Sequence, residues 1–202
     1  MKVESLRPAL EELERALAWA STTTGINGQR VVPTIQTKGK KSRCSGWFAP
    51  NRWSTREGTV CHEINFTAED LNRDAIAIVS TAVHEVVHLW CHSLDIKDTA
   101  ASGRHNKKFK EYAEILGLIC ADPSDSYGYG YTQPGPKLQK QIESEFKPDL
   151  TKLNLFRLAV PVRETASTKM QKWSCGCTTV RCARQLTAIC EFEGCGNLFV
   201  VV

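Results

Sequence analysis

The stretch HEVVHLWCH, residues 84–92, places three histidines and one glutamate within nine residues. His84, His88 and His92 follow one another at intervals of four, and residues four apart lie on one face of a helix. The apolar residues around them recur on most sides of the segment, which is typical of a helix buried in a core. Burying an ionisable side chain in such a core costs free energy unless the side chain is paired. The stretch therefore indicates a metal site on a central helix.

The spacing predicts which of these histidines share an ion. Four residues advance a helix by about 6 Å, so His84 and His88 can converge on one metal, as in the HExxH pattern of zinc peptidases. His92 lies about 12 Å beyond His84 on the same helix, too far for two bonds of about 2 Å to one ion. We expect His92 to lie outside the site, and Glu85 to hold the attacking water without binding the metal.

A catalytic zinc ion usually has three protein ligands and one open position, so a third ligand must come from elsewhere in the chain. His105, in the segment SGRHNKKF, follows His88 after a stretch that can turn back towards the helix. Glu111 and Glu114 are the competing candidates. The remaining histidine, His62, lies in a predicted strand, where we expect a packed or paired side chain.

The rest of the pattern predicts an α+β fold, with a small antiparallel sheet beside the HExxH helix. Residues 6–20 and 106–118 show the apolar spacing of helices. Residues 30–66 contain short β-branched and aromatic runs separated by Gly, Pro, Ser and Lys, which are typical of strands. Thr67 followed by Asp70 resembles a capping box and predicts that the central helix begins near Thr67.

The composition indicates one main domain in a cytoplasmic protein. The chain has 202 residues and a formal net charge of +4, which is enough chain for a real core and a small appendage. No apolar run approaches the ~20 residues of a membrane span, and the N-terminus lacks a secretory signal pattern. Nine cysteines in such a chain indicate thiols and metal ligands rather than disulfides. We therefore expect a cytoplasmic location and no membrane partner.

A second metal site is predicted near the C-terminus, in WSCGCTTVRCARQLTAICEFEGCG. Five thiols lie close together there, which favours a structural zinc site closed by four of them. Cys190 and Cys195 form one apparent pair. The spacing departs from two C-x-x-C pairs, so the other pair is Cys175 with Cys177, Cys175 with Cys182, or Cys177 with Cys182. We divide the chain into a metallopeptidase domain over 1–147, a linker over 148–170 and a zinc-ribbon-like module over 171–202.

Taken together, TAVHEVVHLWCH, GRHNKKFKEYAEILGL and the cysteine-rich tail resemble the SprT-like zinc metallopeptidases from about Gly46 onward. The resemblance implies a zincin-type fold, and it implies protein substrates, which in part of the family are crosslinked to DNA. One departure is Asn106, because the family commonly has glycine after the third histidine. The residues to which the resemblance gives roles are His84, His88 and His105 as zinc ligands, Glu85 as catalytic base, and Cys175 and Cys177 as the first cysteine pair.

In the predicted reaction, Glu85 takes a proton from water that zinc has activated and passes it to the leaving amine. A hydrogen-bond donor must also stabilise the oxyanion. The candidates for that donor are Tyr127, Tyr129, Tyr131 and Arg104. A hydrolase of non-protein amides would have the same residues. The rival from another class is a zinc-ribbon nucleic-acid-binding protein whose HExxH zinc is only structural, although such a site has no need of Glu85.

A basic stretch with interleaved aromatic residues runs from Arg30 to Arg56, with seven positive residues and no acidic one. Basic grooves with stacking aromatic rings suit single-stranded nucleic acid. Packing of the aromatic rings in the sheet is the simpler explanation for them. The candidate contacts for single-stranded DNA as a further partner are Lys38, Lys40, Lys41, Arg43, Trp47 and Trp53.

Overall fold

The computed structural model describes residues 1–26, 28–37, 44–158 and 170–202. It divides into two compact units, Met1–Ala159 and Val160–Val202. Residues 148–158 of the predicted linker belong to the first unit, since Leu153 is buried in its core and the Arg157 N–H donates to the Ala68 carbonyl. The remainder of that linker up to 169 lies outside the described residues.

The first unit is a mixed α+β structure with a three-stranded main sheet and a separate antiparallel pair of strands. Its helices are α1 (Arg7–Ser21), α2 (Ala75–Ser93), α3 (Lys107–Ile115) and α4 (Pro136–Gln141), the last continued by a π-helical turn over Ile142–Phe146. Its strands are β1 (Val31–Gln36), β2 (Gly46–Ser54), β3 (Val60–Thr67), β4 (Leu118–Cys120) and β5 (Thr132–Pro134), of which β4 and β5 form the separate pair. The predicted α+β class is confirmed at this level.

The main sheet has the strand order β1-β3-β2, and the prediction of an antiparallel sheet is wrong for one of its two pairings. β2 and β3 form an antiparallel hairpin, but β1 pairs with β3 in parallel. The chain reverses direction between β1 and β2 and again between β2 and β3, so β1 and β3 run the same way, and β1 pairs with β3 rather than with β2. Ile64 and Phe66 of β3 point into the core, where they are at most 1% exposed.

The central helix α2 begins later than the sequence predicts. A short 3₁₀ turn occupies Ala68–Asn72, and extended backbone at Arg73 and Asp74 separates it from α2. The Asp74 side chain accepts a hydrogen bond from the Ala77 N–H at 2.8 Å, so this residue, and not Thr67, is the N-cap. Thr67 precedes the 3₁₀ turn instead, and a pattern of a hydroxyl followed by an acid does not distinguish such a turn from the first turn of α2.

Helix α2 forms the centre of the core. Its buried apolar side chains include Ile78, Val79, Val83, Val86 and Val87. Among the described residues it is the one helix long and apolar enough to cross a membrane by length and composition, but 67% of its apolar window is buried within the protein. Such burial is typical of a core helix.

A buried carboxylate connects α1 with the chain after α4. Glu12 is 1% exposed, and its Oε1 accepts hydrogen bonds from the Asp149 N–H at 2.8 Å and from Arg15 Nη2 at 2.6 Å. Arg15 also donates to the carbonyls of Phe146 and Lys147 and lies 3.8 Å above the Phe146 ring. The start and the end of the first unit are therefore bound to each other.

The second unit contains a small sheet in the order β7-β6-β8, with β6 (Gln171–Ser174), β7 (Thr179–Cys182) and β8 (Val200–Val201). Both of its pairings are antiparallel. Few apolar side chains are buried in the described part of this unit, namely Trp173, Cys175 and Cys190. So small a core needs another source of stability.

Candidate metal centres

The structure brings His84, His88 and His105 together in one group. His84 Nε2 and His88 Nε2 lie 3.2 Å and 3.1 Å from His105 Nε2, and the three ligand atoms are within 4.8 Å of one another. Two nitrogen ligands of a tetrahedral zinc ion, each about 2.05 Å from it, are about 3.3 Å apart. The spacing of the three nitrogens therefore fits a single metal ion of that size.

Each histidine of this group has its other ring nitrogen beside a protein oxygen. His84 Nδ1 lies 2.9 Å from Thr132 Oγ1, His88 Nδ1 lies 2.5 Å from Asp98 Oδ2, and His105 Nδ1 lies 3.2 Å from the Tyr127 carbonyl. Metal-binding histidines generally donate their second N–H in this way, which fixes the ring and its tautomer.

These hydrogen bonds determine where the imidazole lone pairs point. A carboxylate and a carbonyl only accept, so His88 and His105 each donate from Nδ1 and, when neutral, carry a lone pair on Nε2. The two lone pairs then face each other across 3.1 Å, an arrangement that a cation between them stabilises. The donor set is thus suited to a metal ion.

The electrostatic surroundings keep two of the three rings neutral. Burial, with the charges of His88 and His105, lowers the pKa of His84 well below its usual value. Burial and the charge of His88 lower the pKa of His105 to about 4. Burial disfavours protonation of His88 too, but its hydrogen bond to Asp98 and the charges of Glu85 and Asp98 outweigh it and raise the pKa. Neutral imidazoles are the form that binds metal.

Glu85 lies beneath β2, one residue along the helix from His84. It is 2% exposed, and the Phe48 N–H donates a hydrogen bond to its carboxylate. Its Oε2 is buried and has no hydrogen-bond partner among the described residues. Burial raises the pKa of Glu85 to about 7, against the charge of His88. A side chain with this pKa can exchange a proton near neutral pH.

Two glycines allow the third histidine to reach the site. His105 N–H donates to the Tyr127 carbonyl, and the Tyr129 N–H donates to the His105 carbonyl. A Cβ at Gly128 would lie 2.0 Å from the His105 carbonyl oxygen, and a Cβ at Gly130 would lie 2.5 Å from His105 Nδ1. The YGYGY segment therefore packs on His105. Sequence reasoning considered its tyrosines but missed its glycines.

We expect Gly130→Ala to weaken zinc binding by roughly 10–100-fold, the range found when the surroundings of a metal-binding histidine are disturbed. The added methyl group would push against the His105 ring, whereas Gly58→Ala strains a backbone with φ of 84° that has open space around it, and so tests strain without a contact. Competition with a chromogenic chelator measures the zinc affinity of each variant. Equal loss in both variants would show that general strain, rather than the His105 contact, is responsible.

The residue after His105, Asn106, has a structural role. Its Oδ1 accepts hydrogen bonds from the N–H groups of Lys108 and Phe109, and its Nδ2 donates to the Lys97 carbonyl. Asn106 thus caps the N-terminus of α3.

The two other histidines lie outside the metal group. The His92 ring packs 5.6 Å from the Phe48 ring and 5.1 Å from the His62 ring, measured between centroids. His62 accepts from the Asn51 N–H at Nδ1 and contacts Gln29 through Nε2. The competing carboxylates Glu111 and Glu114 contact lysines of α3 and do not belong to the group.

We expect His105→Ala to lose zinc from the histidine group and to lose any zinc-dependent hydrolysis. His92→Ala should keep both, because His92 packs against Phe48 and His62 and is not a member of the histidine group. Elemental analysis of each purified variant after dialysis measures the zinc content. Full zinc retention by His105→Ala would mean that another side chain is the third ligand.

The tail brings four thiols together. Cys177 Sγ lies 3.3 Å from Cys175 Sγ and 3.4 Å from Cys190 Sγ, and the group is completed by Cys195, with all sulfurs within 4.8 Å. Tetrahedral zinc thiolates place their sulfurs about 3.8 Å apart. Burial opposes ionisation of Cys175, but hydrogen bonds with the Cys177 thiol and the Thr178 N–H lower its pKa to about 6.

Cys182 ends β7, opposite Gln171, and is not a member of the four-thiol group.

The predicted nucleic-acid contacts are only partly described. Lys38, Lys40, Lys41 and Arg43 lie outside the described residues. Trp47 is half-buried, while Trp53 is 45% exposed and its Nε1 donates to Glu63 Oε2 at 2.8 Å. An acidic group thus lies beside the more exposed of the two rings.

The four oxyanion candidates differ in their surroundings. Arg104 Nε donates to the carbonyls of Ser124 and Asp125, so this atom holds the loop that ends at Thr132. Tyr129 packs against the core and lies under the Lys110 ammonium. Tyr127 and Tyr131 pack edge to face at 5.4 Å, and Tyr131 is 50% exposed. Tyr131 is the most accessible of the four candidates, since Arg104, Tyr127 and Tyr129 are each half-buried.

No family model, curated protein or solved structure matches the chain.

Proposed function

We propose that the first unit is a zinc-dependent metallopeptidase similar to the SprT-like enzymes, and that the tail holds a second, structural zinc ion. The convergence of three Nε2 atoms beside a buried carboxylate carries this proposal. A purely structural site is closed by four ligands. Here three nitrogens are supplied by His84, His88 and His105, and Glu85 stands beside them as a proton acceptor.

In the proposed reaction the histidines hold the ion and Glu85 moves the proton. Zinc, when bound, supplies Lewis acidity that activates water and polarises a carbonyl group. The unpaired Oε2 of Glu85 accepts a proton from the attacking water, and the same carboxyl then donates it to the leaving amine. Burial of this side chain keeps bulk water from competing for the proton, and the Phe48 N–H holds the carboxylate in place.

The decisive experiment is incubation of the purified protein with a panel of unfolded proteins, DNA-bound proteins and small amides. Cleavage of proteins that stops with a chelator and returns with zinc supports a peptidase. Cleavage confined to the small amides would favour a hydrolase of non-protein substrates. Zinc binding without hydrolysis of any substrate in the panel would favour the structural-zinc alternative.

Cys61, Cys91 and Cys120, which the structure describes in the first unit, form no disulfide bonds. Free thiols persist in reducing compartments, which supports our proposal of a cytoplasmic location. The proposed partners are a protein substrate and, as a separate hypothesis, single-stranded DNA.

For the DNA hypothesis we expect weak binding of a labelled single-stranded oligonucleotide that falls steeply with salt, because each neutralised phosphate releases a counterion. Trp53→Ala should reduce the preference for single strands, whereas Trp53→Phe retains a ring that can stack and serves as the control. Fluorescence anisotropy at several salt concentrations measures both effects. Absence of binding at low salt, or binding unchanged when Lys38, Lys40, Lys41 and Arg43 become serine, would remove the hypothesis.

A further inference from the structure

Asp98 lies on the loop between α2 and α3 and is 9% exposed. Its Oδ2 accepts a hydrogen bond of 2.5 Å from His88 Nδ1. The corresponding oxygens on the other two histidines belong to a hydroxyl and a backbone carbonyl. His88 is therefore the histidine of this group whose ring is held by a carboxylate.

The backbone of the same residue is tied to the segment that carries the third histidine. The Asp98 carbonyl accepts a hydrogen bond from the Asn106 N–H at 2.9 Å, and Asn106 Nδ2 donates to the preceding carbonyl, that of Lys97, at 2.8 Å. Thr99 forms an antiparallel bridge with His105. One short segment thus orients His88 through a side chain and places His105 through its backbone.

We propose that Asp98 is the positioning residue of the histidine centre, an inference that rests on the proposed zinc site. Its carboxylate holds the His88 ring with Nε2 facing the other two nitrogens and makes that ring a stronger donor to a metal. Three neutral imidazoles leave the charge of a divalent cation uncompensated. Asp98 supplies a buried negative charge one ring away from it, which a hydroxyl or a carbonyl cannot do.

The test compares Asp98→Asn with Asp95→Asn. Both exchange a carboxylate for an amide on the same loop, but Asp95 is exposed and its left-handed backbone, with φ of 54°, tolerates asparagine. We expect Asp98→Asn to weaken Zn²⁺ and Co²⁺ binding to the histidine centre by roughly 10–100-fold and to shift the visible absorption of bound Co²⁺. Asp95→Asn should match the wild type in both measurements.

Binding of Co²⁺ also distinguishes the histidine centre from the cysteine centre. It therefore distinguishes failure of the proposed zinc site from failure of the positioning role of Asp98. Co²⁺ bound by the cysteines absorbs intensely through thiolate charge transfer, whereas the histidine centre gives only weaker visible bands. Wild-type protein without those weaker bands would overturn the proposed zinc site and this inference with it. Wild-type bands that persist unchanged in Asp98→Asn, with unchanged affinity, would overturn the positioning role alone, even if the variant unfolds at a lower temperature.

A second measurement needs no variant and therefore does not depend on whether Asp98→Asn folds. In zinc-loaded wild-type protein, the Nδ1–H proton of His88 should give a slowly exchanging, strongly downfield nuclear magnetic resonance signal, further downfield than that of His84. A His88 signal at the same position as that of His84 would overturn the inference, because a hydroxyl partner would then serve as well as the carboxylate.

Discussion

Glu85→Gln should abolish hydrolysis, with a loss of about 10²–10⁴-fold or more in rate, the usual contribution of a general base. Glutamine has the same shape and can still accept the Phe48 N–H, but it cannot take a proton from water at the position of Oε2. Because Glu85 is not one of the three converging ligands, the variant should keep its zinc. Rates on the best protein substrate, with zinc content measured on the same sample, test both parts.

The matched control for that experiment is Glu145→Gln, an identical chemical change at an exposed position of the first unit. It should leave the rate unchanged. Retention of hydrolysis by Glu85→Gln would remove the proposed base and, with it, the peptidase mechanism. Loss of zinc from Glu85→Gln would instead show that the carboxylate supports the metal site directly, and the loss of rate would then say nothing about proton transfer.

Removal of metal from the tail should unfold residues 170–202. Structural zinc contributes about 10–16 kcal/mol of apparent binding free energy in small zinc modules at neutral pH. The buried apolar side chains of this described segment, Trp173 with Cys175 and Cys190, form too small a core to replace it. Cys190→Ser should therefore abolish amide protection in β6 and β7, as hydrogen exchange followed by mass spectrometry measures directly.

Cys182→Ser is the control within the same tail, since Cys182 lies outside the four-thiol group. Its exchange pattern and thiol-bound zinc should stay close to those of the wild type, while Cys177→Ser should resemble Cys190→Ser. The reverse outcome, in which Cys177 is dispensable and Cys182 is essential, would mean that the ligand set differs from the four thiols that the structure groups together.

Local patterns predicted the elements of the metal region well. The four-residue spacing of His84 and His88 and the apolar residues around them indicated a buried helix, and short β-branched runs indicated the three strands beside it. The predicted start of that helix was wrong because the capping-box-like pattern at Thr67 begins a separate 3₁₀ turn, and extended backbone at Arg73 and Asp74 divides this turn from α2. The parallel pairing of β1 with β3 depends on chain crossing, which strand patterns do not record.

The surroundings of the histidines were beyond sequence reasoning for a different reason. Thr132, Asp98 and Tyr127 lie 48, 10 and 22 residues from the histidines they contact, and residue types such as these occur throughout any chain. Gly130 was likewise ordinary in the sequence, because its importance is that the His105 ring occupies the space where a Cβ would stand. Such roles follow from tertiary packing, and no periodicity or motif in the sequence predicts them.

The bond between Glu12 and the chain near Asp149 also has a consequence for biosynthesis. Helix α1 leaves the ribosome early, but its buried carboxylate receives the Asp149 N–H only after more than a hundred further residues have been made. Contacts between residues so distant in sequence form late and slow folding. The nascent first unit should therefore stay open until its last segment emerges, and a chain stopped at residue 147 would lack one of the partners that satisfy Glu12.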